Sequence, residues 1–125
     1  KRKMTVERIA IRNYEDATNT ILNSLLTMDP APTALYCESD ELALPVIYKL
    51  CQYGHAVPPE LSVIGFDDVP LAAKIGLTTL HHDPFNMGEN AARKMLSVMS
   101  GKTPKPLHET LQAQLMMRET TAFID

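Results

Sequence analysis

Glycine, cysteine and positive charge are scarce in this sequence, and each scarcity narrows what the chain can be. Only five glycines occur, and they form no glycine-rich loop of the kind that cradles phosphate. The two cysteines, Cys37 and Cys51, have no CxxC or HxxxH beside them, which excludes the common zinc patterns. Both sit inside apolar runs and read as small core hydrophobes. A single disulfide between them fits the count, and nothing else asks for it. Lysine and arginine number 12 against 15 acidic residues, a formal net charge of -3. The only dense positive cluster is Lys1-Arg2-Lys3, read as a solvated terminus. Electrostatics therefore give no support for a nucleic-acid surface on this segment. No apolar run approaches the about 18 residues of a membrane span, and no leader pattern is visible. A cytoplasmic location is the expectation, although a fragment would also lack a leader.

What is present is a regular alternation of short apolar runs and amphipathic stretches. At 125 residues and 45% hydrophobic composition, the chain suits one domain with a real core. Val6 to Ile11 alternates in part and is predicted as a strand. Asn13 is a candidate cap for a helix carrying Ala17, Ile21, Leu22, Leu25 and Met28 on one face. Asp29-Pro30-Ala31-Pro32 stops it. Thr33 to Cys37 is apolar without alternation, as in a strand buried on both faces. Ser39 caps the next helix, whose stripe is Leu42, Ala43, Val46, Ile47, Leu50 and Cys51; Gly54 and Pro58-Pro59 end it. Leu61 to Phe66 is the clearest buried strand, Val69 to Ile75 a short helix, and Leu77 to His82 another strand. Asp83-Pro84 opens a helix with a cap and a proline at its first position, and Gly101 closes it. Leu111 to Thr121 is predicted as a final strand. The methionines at 87, 95, 99, 116 and 117 read as core fillers.

Strands alternating with helices imply right-handed crossovers, and hence an α/β fold with a parallel sheet and helices on both faces. In such sheets ligands bind beyond the carboxyl ends of the strands. The polar residues to weigh are therefore Glu38, Ser39, Asp40, Asp67, Asp68, His81 and His82.

Three segments resemble the LacI/GalR family of transcription regulators, whose cores are similar to type I periplasmic sugar-binding proteins. The first is Pro32-Thr33-Ala34 through Asp40 and Leu44, against a family pattern of P-T-A, a short strand, then N-D-x-x-A-L-G. The second is Val57-Pro58-Pro59-Glu60-Leu61-Ser62-Val63-Ile64-Gly65-Phe66-Asp67-Asp68, against V-P-x-D-[IL]-S-V-I-G-[FY]-D-D. The third is Leu77-Thr78-Thr79, followed by Met87-Gly88, Ala91-Ala92 and Arg118-Glu119-Thr120-Thr121. The chain departs from the pattern at Ser39 (usually asparagine), Pro45 (glycine), Gly76 (proline) and His82 (glutamine). Proline at 45 is expected to kink its helix or displace the start.

The resemblance implies a Rossmann-like C-terminal half of a type I periplasmic-binding-protein-like fold: residues 1–125 form one effector-binding domain fragment. Residues 84–106 would pack on an N-terminal half that lies upstream together with a DNA-binding headpiece. The apolar stripe of that helix is then expected to be exposed, re-docked or exchanged between chains. It further implies a small-molecule effector of the sugar class, no cofactor, no membrane, and operator DNA only through the headpiece.

Asp67 is the main expected ligand contact, since a carboxylate offers about four lone-pair sites to vicinal hydroxyls; the plainer reading is a turn residue. Ser39 is first a cap and secondarily a ligand contact. Tyr36 matches a position where a family member stacks an aromatic ring on its ligand, or is a half-buried strand tyrosine. His82 is a donor at the cleft hinge or a loop histidine, and Tyr14 a lining residue. Asp68 reads as a cap for the segment from Val69. Leu50, Tyr53 and Leu71 are the expected homodimer surface.

Two other classes compete. A periplasmic or secreted sugar-binding protein shares the core, but the second segment is more typical of the regulators. A magnesium-dependent enzyme would use Glu38, Asp40, Asp67 and Asp68. It lacks a nucleophile–base pair, a phosphate loop and a lysine after a later strand.

Overall fold

Val63 and Leu77, both 0% exposed, mark the middle of the molecule. The computed structural model describes residues 4–106 and 108–123, so the Lys1-Arg2-Lys3 cluster lies outside the described residues. Around that centre the chain forms α1 (Ala17–Thr27), β1 (Ala34–Tyr36), α2 (Asp40–Gln52), β2 (Ser62–Phe66), α3 (Pro70–Lys74), β3 (Thr78–His81), α4 (Pro84–Met99) and β4 (Gln114–Met116). The sheet runs β1-β2-β3-β4. The pairs β1–β2 and β2–β3 are parallel, in a register that sets Tyr36 beside Ile64 and Phe66 beside Leu80. This is the expected α/β architecture, a sheet flanked by helices.

Local chemistry explains most element ends. Asn13 accepts from the Glu15 amide at 3.1 Å and starts a 3-10 turn, Tyr14–Asp16, that leads into α1. Ser39 Oγ accepts from the Leu42 amide at 3.3 Å at the head of α2. Asp83 accepts from the Asn86 amide at 2.9 Å, with Pro84 first in α4. Backbone donation to Asp83 holds its carboxyl below the usual range. Gly54 and Gly101, at φ +85° and +76°, follow α2 and α4 in the left-handed region that glycine adopts without cost.

The apolar stripes of α1 (Ala17, Ile21, Leu22, Leu25) and α2 (Leu42, Ala43, Val46, Leu50) meet Val63, Ala72 and Leu77 in one cluster. Each fully buried aliphatic side chain there contributes about 1.5–3 kcal/mol relative to exposure. That exceeds the about 1 kcal/mol of a cap, so packing holds these helices while the caps fix where they begin.

Several sequence expectations need correction. Val6 to Ile11 is not a strand: it has no ladder partner. Ile9 and Ile11, two residues apart, pack against the core cluster. Their spacing produced a period-2 signal in a segment whose backbone pairs with nothing. The final strand is three residues long rather than eleven, and it is antiparallel to β3, with Thr79 opposite Met116. Pro45 lies inside α2 without displacing its start from Asp40. It occupies the exposed face, where its ring meets solvent. Of the five methionines, Met87, Met95, Met99 and Met117 are exposed and Met116 is half-buried, and α4 buries no residue. Packing, not side-chain type, decides burial, and the described chain lays only the segment around Glu109 against that helix, where Glu109 meets Lys94 at 3.0 Å.

The two cysteines are unpaired, and only one is core. Cys37 is 3% exposed, and burial pushes its thiol up to about 12. Cys51 is exposed. A thiol-reactive disulfide reagent at neutral pH is expected to label Cys51 rapidly and Cys37 only after denaturant is added. Rapid labelling of both in the native protein contradicts the placement of Cys37.

Candidate functional site

The three parallel strands end side by side, so the residues just after them share one rim. Tyr36 closes β1, and Cys37, Glu38 and Ser39 follow it. Phe66 closes β2, followed by Asp67 and Asp68; His81 closes β3, followed by His82. Asp67 Oδ1 and His82 Nε2 are 2.9 Å apart. The His82 ring stacks on Phe66, with centroids 5.2 Å apart and planes at 24°. The Asp67 side chain is 40% exposed, so a carboxylate fixed on one oxygen still faces solvent.

Two tyrosines extend the rim. Tyr14 donates its hydroxyl to Glu38 Oε1 at 2.5 Å, and that bond is the largest influence raising its phenol. Partial burial, then the carboxylates of Asp67 and Glu38, raise the Tyr36 phenol. Tyr14, Glu38, Tyr36, Asp67 and His82 thus form one row of acceptors and hydroxyls. Ser39 stands at the same edge with its oxygen engaged by the Leu42 amide, which leaves its proton to donate.

The turn that presents Asp67 is unusual. Asp67 has φ 104° and Asp68 φ 55°, both in the left-handed region. Each costs about 1–3 kcal/mol for a non-glycine residue, so the surroundings must impose the conformation. The Asp67 amide donates to Leu80 O at 2.9 Å. Arg118 Nη2 reaches Asp68 Oδ1 at 2.6 Å while Nη1 donates to Leu77 O at 2.8 Å. His81 Nδ1 lies 3.3 Å from Asp68 Oδ2. The Val69 amide donates to Asp40 Oδ2 at 2.9 Å. Asp68 therefore anchors the turn to Arg118, and the cap expected of it is not made: α3 has no side-chain cap.

The sequence missed Asp40 and Arg118 as supports of the turn, because their partners lie 29 and 50 positions away. Glu38 was visible only as a rim residue. The acidic quartet does not converge on one centre. Both oxygens of Asp40 are occupied by donors, and Asp68 is held by Arg118. Leu50, expected on a surface between chains, is 3% exposed inside this chain's own core. Tyr53 and Leu71 are exposed.

The family model for the periplasmic binding protein-like domain matches residues 2–121, nearly the whole chain. The chain belongs to the periplasmic binding protein-like family. Its relatives include repressors and LacI-family regulators. It is 32% identical over 111 residues to the HTH-type transcriptional repressor PurR of Vibrio parahaemolyticus, covering 86% of this chain and 33% of that protein. It is 31% identical over 123 residues to PurR of Vibrio cholerae, covering 94% of this chain and 37% of that protein. The chain thus spans about a third of the length of these curated relatives.

Solved structures of transcription regulators match the chain as well. A transcriptional regulator CelR–cellobiose complex matches with a TM-score of 0.75 at 27% identity, over 87% of this chain and 34% of that one. A LacI-family regulator from Lactobacillus casei with bound sucrose matches at 0.67 and 27%, over 86% and 40%. A LacI-family regulatory protein from Corynebacterium glutamicum matches at 0.70 and 32%, over 86% and 42%. These relatives are named as repressors and regulators. No helix among the described residues is long and apolar enough to cross a membrane.

Proposed function

We propose that this periplasmic binding protein-like domain is the effector sensor of a LacI-type transcription regulator, and that its rim binds a sugar. The observation that carries the reading is Asp67. Its carboxylate stands at the end of the central parallel strand, with Oδ1 held by His82 and the other oxygen open to a ligand hydroxyl. A fixed acceptor beside the exposed ring of Tyr36 suits a polyhydroxylated ring with one apolar face. Sugar-bound relatives of similar fold support the class.

In this reading the rim is one wall of a cleft. The exposed apolar side chains of α4, among them Phe85, Met95, Leu96 and Met99, pack on a second half of the protein. Tyr53 and Leu71 meet the equivalent residues of a second subunit. Ligand binding biases the angle between the halves and so the operator affinity of a headpiece on the same polypeptide, a population shift in the cytoplasm.

The test is calorimetric titration of the full-length regulator with a panel of monosaccharides and disaccharides that includes sucrose and cellobiose. At least one is expected to bind, and Asp67→Asn is expected to weaken it roughly 10–100-fold, the worth of a hydrogen bond to a charged group. Unchanged affinity in the variant removes Asp67 from the site. No binding by any sugar removes the ligand class.

A further inference from the structure

Asp40 is the first residue of α2, yet its side chain serves the far side of the rim. It is 0% exposed. Oδ2 accepts from the Val69 amide at 2.9 Å, and Oδ1 accepts from the Thr79 hydroxyl at 2.6 Å. No lysine, arginine or histidine pairs with it among the described residues. Its charge rests on these two donors and on the amino end of α2, which favours an anion. Space has been cleared for it: a Cβ on Gly65 would lie 2.0 Å from Asp40 Oδ1.

We propose that Asp40 is a positioning residue for Asp67, and that it sets the left-handed turn which aims the Asp67 carboxylate along the rim. This rests on the reading of Asp67 as the ligand anchor. Val69 is the first residue after the two left-handed positions, and its amide is bound by a side chain from another element. Thr79, on β3, stands beside Gly65 of β2. Asp40 thus clips the exit of the turn to the neighbouring strand. With the clip closed, the chain must reverse within Asp67 and Asp68, and both take the strained conformation. With the clip open, the exit at Val69 is released and only the contacts of Asp67 and Asp68 themselves oppose its relaxing toward ordinary φ values, which would swing the Asp67 carboxylate off the line shared with His82 and Tyr36.

What the side chain at position 40 must offer follows from its partners. The Val69 N–H can only donate. The Thr79 hydroxyl can donate or accept. Asparagine therefore satisfies both, with its oxygen toward Val69 and its amide toward a rotated Thr79 hydroxyl. Alanine satisfies neither.

Amide hydrogen exchange on Asp40→Ala and Asp40→Asn in the full chain decides the matter. No ligand is needed, so the outcome is independent of whether the rim binds sugar. Asp40→Ala is expected to speed exchange at Val69 and Asp67 at least tenfold beyond any change at the central core amides of Val63 and Ile64. Asp40→Asn is expected to restore protection to within about threefold of the parent. A uniform rise across the core, or unchanged protection at Val69, overturns the proposal. If Asp40→Ala does not fold, Thr79→Val decides: faster exchange confined to Val69 and Asp67 supports the clip, and parental exchange there refutes it. Binding of the best sugar from the panel then reads the functional side. Weakening in Asp40→Ala with recovery in Asp40→Asn supports positioning, and equal affinity in all three proteins refutes it.

Discussion

Replacing Gly65 with alanine is expected to cost about 3–5 kcal/mol of folding stability, from overpacking and strained bonds to a charged group. The new methyl would sit 2.0 Å from Asp40 Oδ1 and 3.2 Å from both Asp40 Cγ and Leu77 Cδ2. Ordinarily a carboxylate oxygen can move aside cheaply. Here it cannot, because Asp40 is 0% exposed and both of its oxygens are engaged. Moving it breaks the Val69 and Thr79 bonds; keeping it forces β2 away from α2. Against a total stability of about 5–15 kcal/mol for a domain, the loss is severe. Urea denaturation measures it. The double variant Gly65→Ala with Asp40→Ala is expected to lose less than the sum of the single changes, because the second substitution removes the atom in the way. A Gly65→Ala protein within about 1 kcal/mol of its parent would show that the close approach is not there.

Removing the guanidinium of Arg118 is the second large effect. Arg118→Met keeps most of the apolar stem and is expected to destabilise by about 2–3 kcal/mol. The side chains of Asp68 and Arg118 are 14% and 17% exposed, so the pair is largely withdrawn from solvent. Loss of Arg118 leaves Asp68 with the His81 ring, at 3.3 Å, as its side-chain neighbour, and leaves Leu77 O without its side-chain donor. The penalty comes mainly from the stranded charge. Combining Arg118→Met with Asp68→Asn is accordingly expected to recover part of the loss. Strict additivity of the two changes, or a loss under about 0.5 kcal/mol for Arg118→Met, would assign the pair no structural weight.

Both predictions concern contacts invisible to a linear reading. The strand predicted over Leu61 to Phe66, observed as Ser62–Phe66, was legible because a mostly apolar run bounded by turn signals has few other uses than a buried strand. The α1 and α2 stripes were legible because their periodicity is a local property. The position of Asp67 at the rim was legible from the run it terminates. Asp40 was legible as a rim residue but not as a support of the turn, because its partner Val69 lies 29 positions on. Leu50 and the α4 methionines failed in opposite directions for one reason: a stripe shows which face is apolar, not whether the chain supplies a cover. Val6 to Ile11 failed because alternation records which side chains turn inward and is silent on backbone pairing.

Thr120 has a bearing on how the molecule comes together. Its hydroxyl donates to Val63 O at 2.7 Å and accepts from the Thr78 amide at 2.9 Å, while its carbonyl accepts from Val63 N at 2.8 Å. One late residue therefore serves as a keystone between β2 and β3, which precede it by 57 and 42 positions. A ribosome must deliver Thr120 before those two strands find all of their bonds, so the sheet is finished only after synthesis has passed the long α4 excursion.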